Sequence, residues 1–358
     1  MRVLVVDDAS IFRRVISDAL AGLPGVEVVG TAANGKLALA RMAALHPDLI
    51  TLDIEMPEMD GLEVLESMRG SKAGTSVIML SSRTVRGGQM TIRALEAGAF
   101  DFITKPEGGS AETNLLQLRE SLRPMIAALD RRQEIRSILN PAGSRPPTSI
   151  SPPVISTGRP RGRSGPPIVL IGVSTGGPTA LAQVLPGLPA KIGAPVFIVQ
   201  HMPPLFTDAL AQRLQTKSAI QVKEAQDGEI AVADCAYLAP GGRQMKLTPG
   251  PSGQIITRIT DDPPENACRP SVDYLFRSVA LHFPGRSIAA ILTGMGNDGT
   301  EGVRMLKRGG CLSIAQDEAS CVVFGMPREA IIAGVIDYVV PLSKIADAIV
   351  RGIAEVRS

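Results

Sequence analysis

The stretch Met1-Arg-Val-Leu-Val-Val-Asp7-Asp8-Ala-Ser10 opens the chain. Four apolar residues end abruptly on two acids. A run this short, closed by polar residues, reads as a buried strand with carboxylates at its carboxyl end. The same pattern recurs at residues 26–30, 49–52, 77–80 and 100–103. Between these runs, apolar residues such as Ile11, Val15, Ile16, Ala19 and Leu20 fall at helical spacing. Five strand–helix units in series predict a parallel sheet covered by helices on both faces. A long fifth helix is expected from about Thr113 toward Ile138.

In an open parallel sheet, ligands bind at the carboxyl ends of the strands. Asp7, Asp8, Asp53, Ser81 and Lys105 each lie at or just past such an end. Alone, a strand-terminal Asp is as readily a helix cap. Together, three carboxylates repel one another unless a cation intervenes, and Mg2+ is the hard ion that prefers oxygen ligands. Asp53 can attack a phosphoryl donor to form an acyl phosphate, with Lys105 offsetting the added charge. Ser81 can donate a hydrogen bond to a phosphoryl oxygen. The motifs VVDDAS, TLDIEMPEMDG, LSS and FITKP resemble the receiver domain of two-component response regulators. The resemblance implies phosphorylation of Asp53 by a histidine kinase. It implies Mg2+ at Asp8, Asp53 and the Glu55 backbone carbonyl, with Asp7 in support. It makes Phe102 an aromatic switch side chain and the bond before Pro106 cis.

Charge is unevenly spread. Residues 1–130 hold 13 basic and 17 acidic side chains, residues 131–167 hold 7 and 1, and residues 168–358 hold 17 of each. The middle segment, rich in Pro, Ser, Gly and Arg, lacks the large apolar residues that would offset its ordering entropy, so it is expected to be a tether. A basic segment can also meet an acidic partner or nucleic acid. The expected domains are therefore 1–130, a linker 131–167, and 168–358. No apolar run is long enough to cross a membrane. The acids at the start do not suit a signal peptide, and Cys235, Cys268, Cys311 and Cys321 show no CxxC spacing. A cytoplasmic protein with reduced thiols, no membrane insertion and a monomeric state is expected.

Past the tether, α/β alternation returns. Strands are expected at residues 168–173, 196–200, 288–292, 312–315 and 338–340. Helices should start near Pro178, Leu205, Pro270, Thr300, Pro327 and Ser343. Residues 220–260, with Asp227-Gly228, Pro240-Gly241-Gly242 and Pro249-Gly250, read as an antiparallel insertion or edge. A second doubly wound, mostly parallel α/β domain follows.

Gly172-Val-Ser174-Thr-Gly176 matches the G-x-S-x-G elbow that exposes a serine nucleophile on a strand-to-helix turn. Such turns also bind phosphate, but no Gly-Lys-Ser/Thr follows, which excludes a P-loop. The base must come from three histidines. His46 falls in a helix-to-strand turn of the first domain and His282 in a helical run. His201 closes the run PVFIVQ at the same sheet edge as Ser174, so by elimination it is the base. Asp298, in the Gly-rich turn after residues 288–292, is a candidate orienting acid or a helix cap. The order Ser…His…Asp differs from the Ser…Asp…His of α/β-hydrolases, but a triad is defined by geometry.

GVSTGGP, QHMPPLFT, LTGMGNDG and CVVFGMPREA, behind a receiver and a tether, resemble the chemotaxis protein-glutamate methylesterases, the CheB family. The resemblance implies Ser174 as nucleophile, His201 as general base and acid, and Asp298 as orienter. It places Thr175 near the nucleophile and makes the Met295 N–H an oxyanion donor. It implies hydrolysis of glutamate methyl esters on chemoreceptors, and deamidation of glutamine, without a cofactor for hydrolysis. Receiver phosphorylation is expected to uncover the catalytic edge. Three other readings compete. A DNA-binding regulator needs a basic recognition face that the charge-neutral second half lacks. A silent binding module would not need Ser174, His201 and Asp298. The same esterase in a non-motility pathway stays open.

Overall fold

The computed structural model describes residues 1–69, 74–106, 108–139 and 165–357, the side chains of 132–139 excepted. The expected tether, 131–167, lies mostly outside the described residues. The chain divides into two compact units, Met1–Pro147 and Thr148–Ser358.

The first unit holds β1 (Arg2–Val6), α1 (Ser10–Ala21), β2 (Glu27–Ala32), α2 (Gly35–Leu45), β3 (Leu49–Asp53), α3 (Gly61–Met68), β4 (Ser76–Ser81), α4 (Val85–Glu96), β5 (Asp101–Thr104) and α5 (Ala111–Leu139). The sheet order is β2-β1-β3-β4-β5, all parallel. β3 is buried along its whole length, as an apolar run sandwiched by helices must be. Turn chemistry in the sequence starts the helices. Asp60 and Glu63 form a reciprocal capping box on α3, Asn34 caps α2 and Thr84 caps α4. The expected strands and helices are all present, each shifted by no more than two residues at its ends. The bond before Pro106 departs from expectation, since the cis peptide among the described residues is Arg269–Pro270. An X-Pro bond prefers trans by about 0.5–1 kcal/mol unless its surroundings reverse that.

The second unit holds β6 (Ile168–Val173), α6 (Gly177–Val184), β7 (Val196–Gln200), α7 (Phe206–Gln215), β8 (Gln221–Glu224), β9 (Cys235–Leu238), β10 (Gln244–Pro249), β11 (Ile255–Thr260), α8 (Val272–His282), β12 (Ser287–Ile291), α9 (Thr300–Arg308), β13 (Leu312–Gln316), α10 (Met326–Ile332), β14 (Tyr338–Val340) and α11 (Leu342–Arg357). Its seven strands run β14-β13-β12-β6-β7-β9-β8, every pairing parallel. β6 has β12 on one side and β7 on the other. Strand order reverses there, which makes the carboxyl ends of these three strands the crevice of a doubly wound sheet.

Residues 220–260 behave differently from expectation in part. β10 and β11 form the antiparallel pair. β8 and β9, however, extend the main sheet in parallel. β8 lies at one edge of the sheet, so only Val222 of its four residues is buried, unlike the fully buried central strands. α8 packs on β10 and α9, and a continuous apolar core runs from Leu170 and Phe197 through Met245 to Leu275 and Phe276.

Candidate active site and phosphoacceptor site

β6 ends at Val173, and Ser174 begins the turn into α6. Gly176 sits at φ 77, a left-handed conformation that L side chains rarely adopt. Gly294 passes so close that a Cβ there would stand 2.7 Å from the Ser174 Cβ. The Ser174 N–H donates to the Thr293 carbonyl (3.0 Å), and the Thr293 hydroxyl donates to the Thr175 carbonyl (2.9 Å). The turn after β6 is thus held by the turn after β12. No acceptor for the backbone N–H of Thr175 or of Met295 is present among the described residues. Two free donors therefore flank the serine, one in each turn.

His201 follows β7, its N–H donating to the Val173 carbonyl (3.1 Å). Gln200 reaches across, donating to the carbonyls of Ser174 (3.0 Å) and His201 (3.1 Å). The imidazole Nε2 lies 2.7 Å from Asp298 Oδ2. An ionised carboxylate only accepts, so Nε2 carries a hydrogen in either charge state, and Nδ1 offers a lone pair when the imidazole is neutral. That Nδ1 faces Cys268 Sγ at 3.6 Å, and no hydrogen bond joins Ser174 Oγ to His201. In resting enzymes such bonds are commonly long and tighten only with substrate.

Asp298 is almost fully buried and fully solvated by protein. Its oxygens also accept from Asn266 Nδ2 (2.9 Å), Ser271 Oγ (2.9 Å), Val272 N (2.7 Å) and Asp273 N (3.0 Å). The last two are the first N–H groups of α8, where the helix dipole favours an anion. Burial works to raise the Asp298 carboxyl, but His201 and these backbone donors outweigh it and hold it at about 2. Burial likewise works to lower His201, yet Asp298 and Cys268 outweigh it and lift it to about 9. Neighbouring Asp273 accepts from Gly302 N and Asn266 Nδ2, and burial pushes it up to about 6.

In the first unit, Asp7 follows β1, Asp53 ends β3 and Lys105 follows β5. The Lys105 ammonium bridges Asp7 Oδ2 (2.8 Å) and Asp53 Oδ2 (2.7 Å). Oxygens of Asp7, Asp8 and Asp53 lie within 4.8 Å of one another. This all-oxygen set with one exposed carboxylate suits a hard divalent ion. Burial raises Asp53 to about 6 against the pull of Lys105. The Ser81 hydroxyl turns away from Asp53, donating toward the carbonyls of Ser82 and Gly87 and accepting from Thr91 Oγ1 (2.8 Å). Phe102 is buried on β5 and Glu55 is exposed after β3. A groove lined by Met42, His46 and Met68 opens at the opposite ends of the strands and shares none of these groups.

A family model described as CheB methylesterase matches residues 169–349, and one described as response regulator receiver domain matches residues 3–117. The chain belongs to the CheB methylesterase family. Among its CheB relatives, a protein-glutamate methylesterase/protein-glutamine glutaminase of Desulfotalea psychrophila is 49% identical, over 98% of each chain. One of the same name from Bacillus subtilis is 44% identical over 98% of this chain and 97% of its own. The crystal structure of the Thermotoga maritima CheB methylesterase catalytic domain superposes with a TM-score of 0.51 at 42% identity. It covers 52% of this chain and 99% of that one.

Sequence reading places Ser174, His201 and Asp298 at one edge, where they are found. His46 and His282 are exposed and distant in sequence from that edge's turns. Cys268, Asn266, Ser271 and Asp273 went unread. The only signal for them is Ser271 as the cap of α8, since Cys268, Asn266 and Ser271 come from residues 261–271, which form no regular element, and Asp273 from the first turn of α8.

Proposed function

We propose that Ser174, His201 and Asp298 form the catalytic triad of a protein-glutamate methylesterase and protein-glutamine glutaminase of chemotaxis. The observation that carries this is the His201–Asp298 contact of 2.7 Å beside the Ser174 turn, built from three neighbouring strand ends. His201 Nδ1, the nitrogen not committed to Asp298, takes the Ser174 proton as Oγ attacks the ester carbonyl. The oxyanion forms against the N–H groups of Thr175 and Met295, each such donor contributing roughly 10²–10³ in rate. Protonated His201 then returns its proton to the leaving methoxide, and methanol departs. Water attacks the acyl-serine with His201 again as base, leaving glutamate. With a primary amide in place of the ester, the same steps release ammonia and convert glutamine to glutamate. Asp298 stays ionised and holds the imidazole in one tautomer.

The receiver acts as the switch. Asp53 accepts a phosphoryl group from a histidine kinase, and Lys105 leaves Asp7 to pair with the added charge. Asp8, Asp53 and the Glu55 carbonyl, with Asp7 in support, would hold Mg2+, which would supply positive charge against the phosphoryl group. Ser81 exchanges its Gly87 contact for the phosphoryl oxygen, and Phe102 responds. Phosphorylation raises esterase turnover on chemoreceptors. No helix among the described residues is long and apolar enough to cross a membrane. The test is methanol release from methylated receptor membranes. Wild type should release it and Ser174→Ala should be slower by about 10⁴-fold or more. Equal release by both proteins would remove Ser174 as nucleophile.

A further inference from the structure

One side chain at the active edge takes no bond-making or proton-transfer step in the proposed ester hydrolysis. Cys268 is presented by a two-residue turn, in which Glu265 and Cys268 exchange both backbone hydrogen bonds (3.1 and 2.8 Å). Both turn residues have positive φ, Asn266 at 53 and Ala267 at 59. Asn–Gly is the pair such turns favour. Ala267 takes the Gly place at a cost of roughly 1–2 kcal/mol, and strain of this kind gathers at functional sites. The turn does two things. It sends Asn266 to Asp298 and it sets Cys268 Sγ 3.6 Å from His201 Nδ1.

We propose that Cys268 Sγ and His201 Nδ1 are two ligands of a site for a borderline-soft divalent cation of the zinc class, and that filling it switches the esterase off. A tetrahedral zinc ion with bonds of about 2.3 Å to sulfur and about 2.05 Å to nitrogen places those atoms about 3.6 Å apart. The second shell is already built. A metal-bound imidazole characteristically gives its other N–H to a carboxylate, and His201 Nε2 does so to Asp298 at 2.7 Å. His201 keeps 14% of its side chain exposed and Cys268 is half-buried, so an ion can enter and water can complete its coordination. On binding, the Cys268 thiol and the protonated His201 Nδ1 each lose a proton to solvent, sulfur–metal and nitrogen–metal bonds form, and the Nδ1 lone pair is consumed. That lone pair is the one that accepts the Ser174 proton, so the inhibitory part rests on the triad reading above. The binding part does not.

The full chain is titrated with Co2+ and then Zn2+, in parallel with methanol release over a zinc series buffered by a chelator. In wild type, Co2+ should give a thiolate-to-metal charge-transfer band that Zn2+ removes. The band should be absent from Cys268→Ala and kept in Cys321→Ala. Zinc should stop wild-type turnover reversibly. The half-inhibitory zinc concentration, measured against each protein's own zinc-free rate, should rise at least ~10-fold in Cys268→Ala. No band in wild type, or a band surviving in Cys268→Ala, would overturn the site. A Cys268-dependent band with undiminished turnover would overturn the switch. If chelated wild type releases no methanol, the esterase reading itself fails, while the band still decides the site.

Discussion

At the scale of single residues, two ionisable groups make opposite statements. His201, at about 9, is an imidazolium in the resting enzyme at neutral pH, whereas a base must be neutral. With chelator present, kcat/KM should therefore climb as pH rises from 6.5 toward about 9 and level off above it. Because Cys268 is one of the groups lifting His201, Cys268→Ala should move the profile to lower pH. A profile flat from pH 6.5 to 9 would contradict the assignment. Asp53 behaves as a buried acid. Its folded value of about 6 lies above the ordinary 3.8, so its ionisation weakens the fold as pH rises through that window. Above pH 6 the loss is complete, on the order of 2–3 kcal/mol. Asp53→Asn removes it. The melting temperature of the first unit's transition should rise in this variant at pH 7.5 and stay nearly level at pH 4. The same variant should give no rate increase with a phosphodonor.

At the scale of elements, the amino end of α8 and the turn before it position Asp298, the acid of the proposed triad. Ser271 serves twice, capping α8 and donating to Asp298. Ser271→Ala should destabilise the chain by about 1.5–3 kcal/mol, the cost of a lost hydrogen bond to a charged group. Urea unfolding measures it, and kcat should fall with it as Asp298 loosens. Ala267→Gly relieves the left-handed turn and should stabilise by roughly 1 kcal/mol. An unchanged unfolding midpoint would show that the turn is not strained in solution. Among the first unit's elements, Gly61 opens α3 where a Cβ would meet the Asp53 carbonyl at 2.1 Å. A side chain there would push directly on the strand that ends in Asp53.

At the scale of the whole molecule, one chain joins a receiver to a methylesterase unit. A small-molecule phosphodonor with Mg2+ should raise the rate of methanol release. Deleting residues 1–140 should raise the basal rate and abolish the response to the donor. A deletion that leaves the basal rate unchanged would rule out inhibition by the receiver and leave only activation to explain the response.

Much of this was legible from order along the chain. Short apolar runs that stop on Asp7, Asp53, Ser174 and His201 are strands by length, and α/β alternation makes their sheets parallel. It follows that their last residues share an edge. Local propensity and period 2 or 3.6 patterning carry that information without tertiary help. The sequence by itself determined two α/β units, the acidic cluster with Lys105, and the elbow at Ser174. Only the tertiary structure decided what surrounds the imidazole. Cys268, Asn266 and Ser271 come from a segment with no periodicity, and the contact between His201 and Asp298 spans 97 residues. It likewise put β8 and β9 into the main sheet in parallel, with β8 at an edge. Side-chain partners across such separations are set by how elements pack, and no local pattern encodes that.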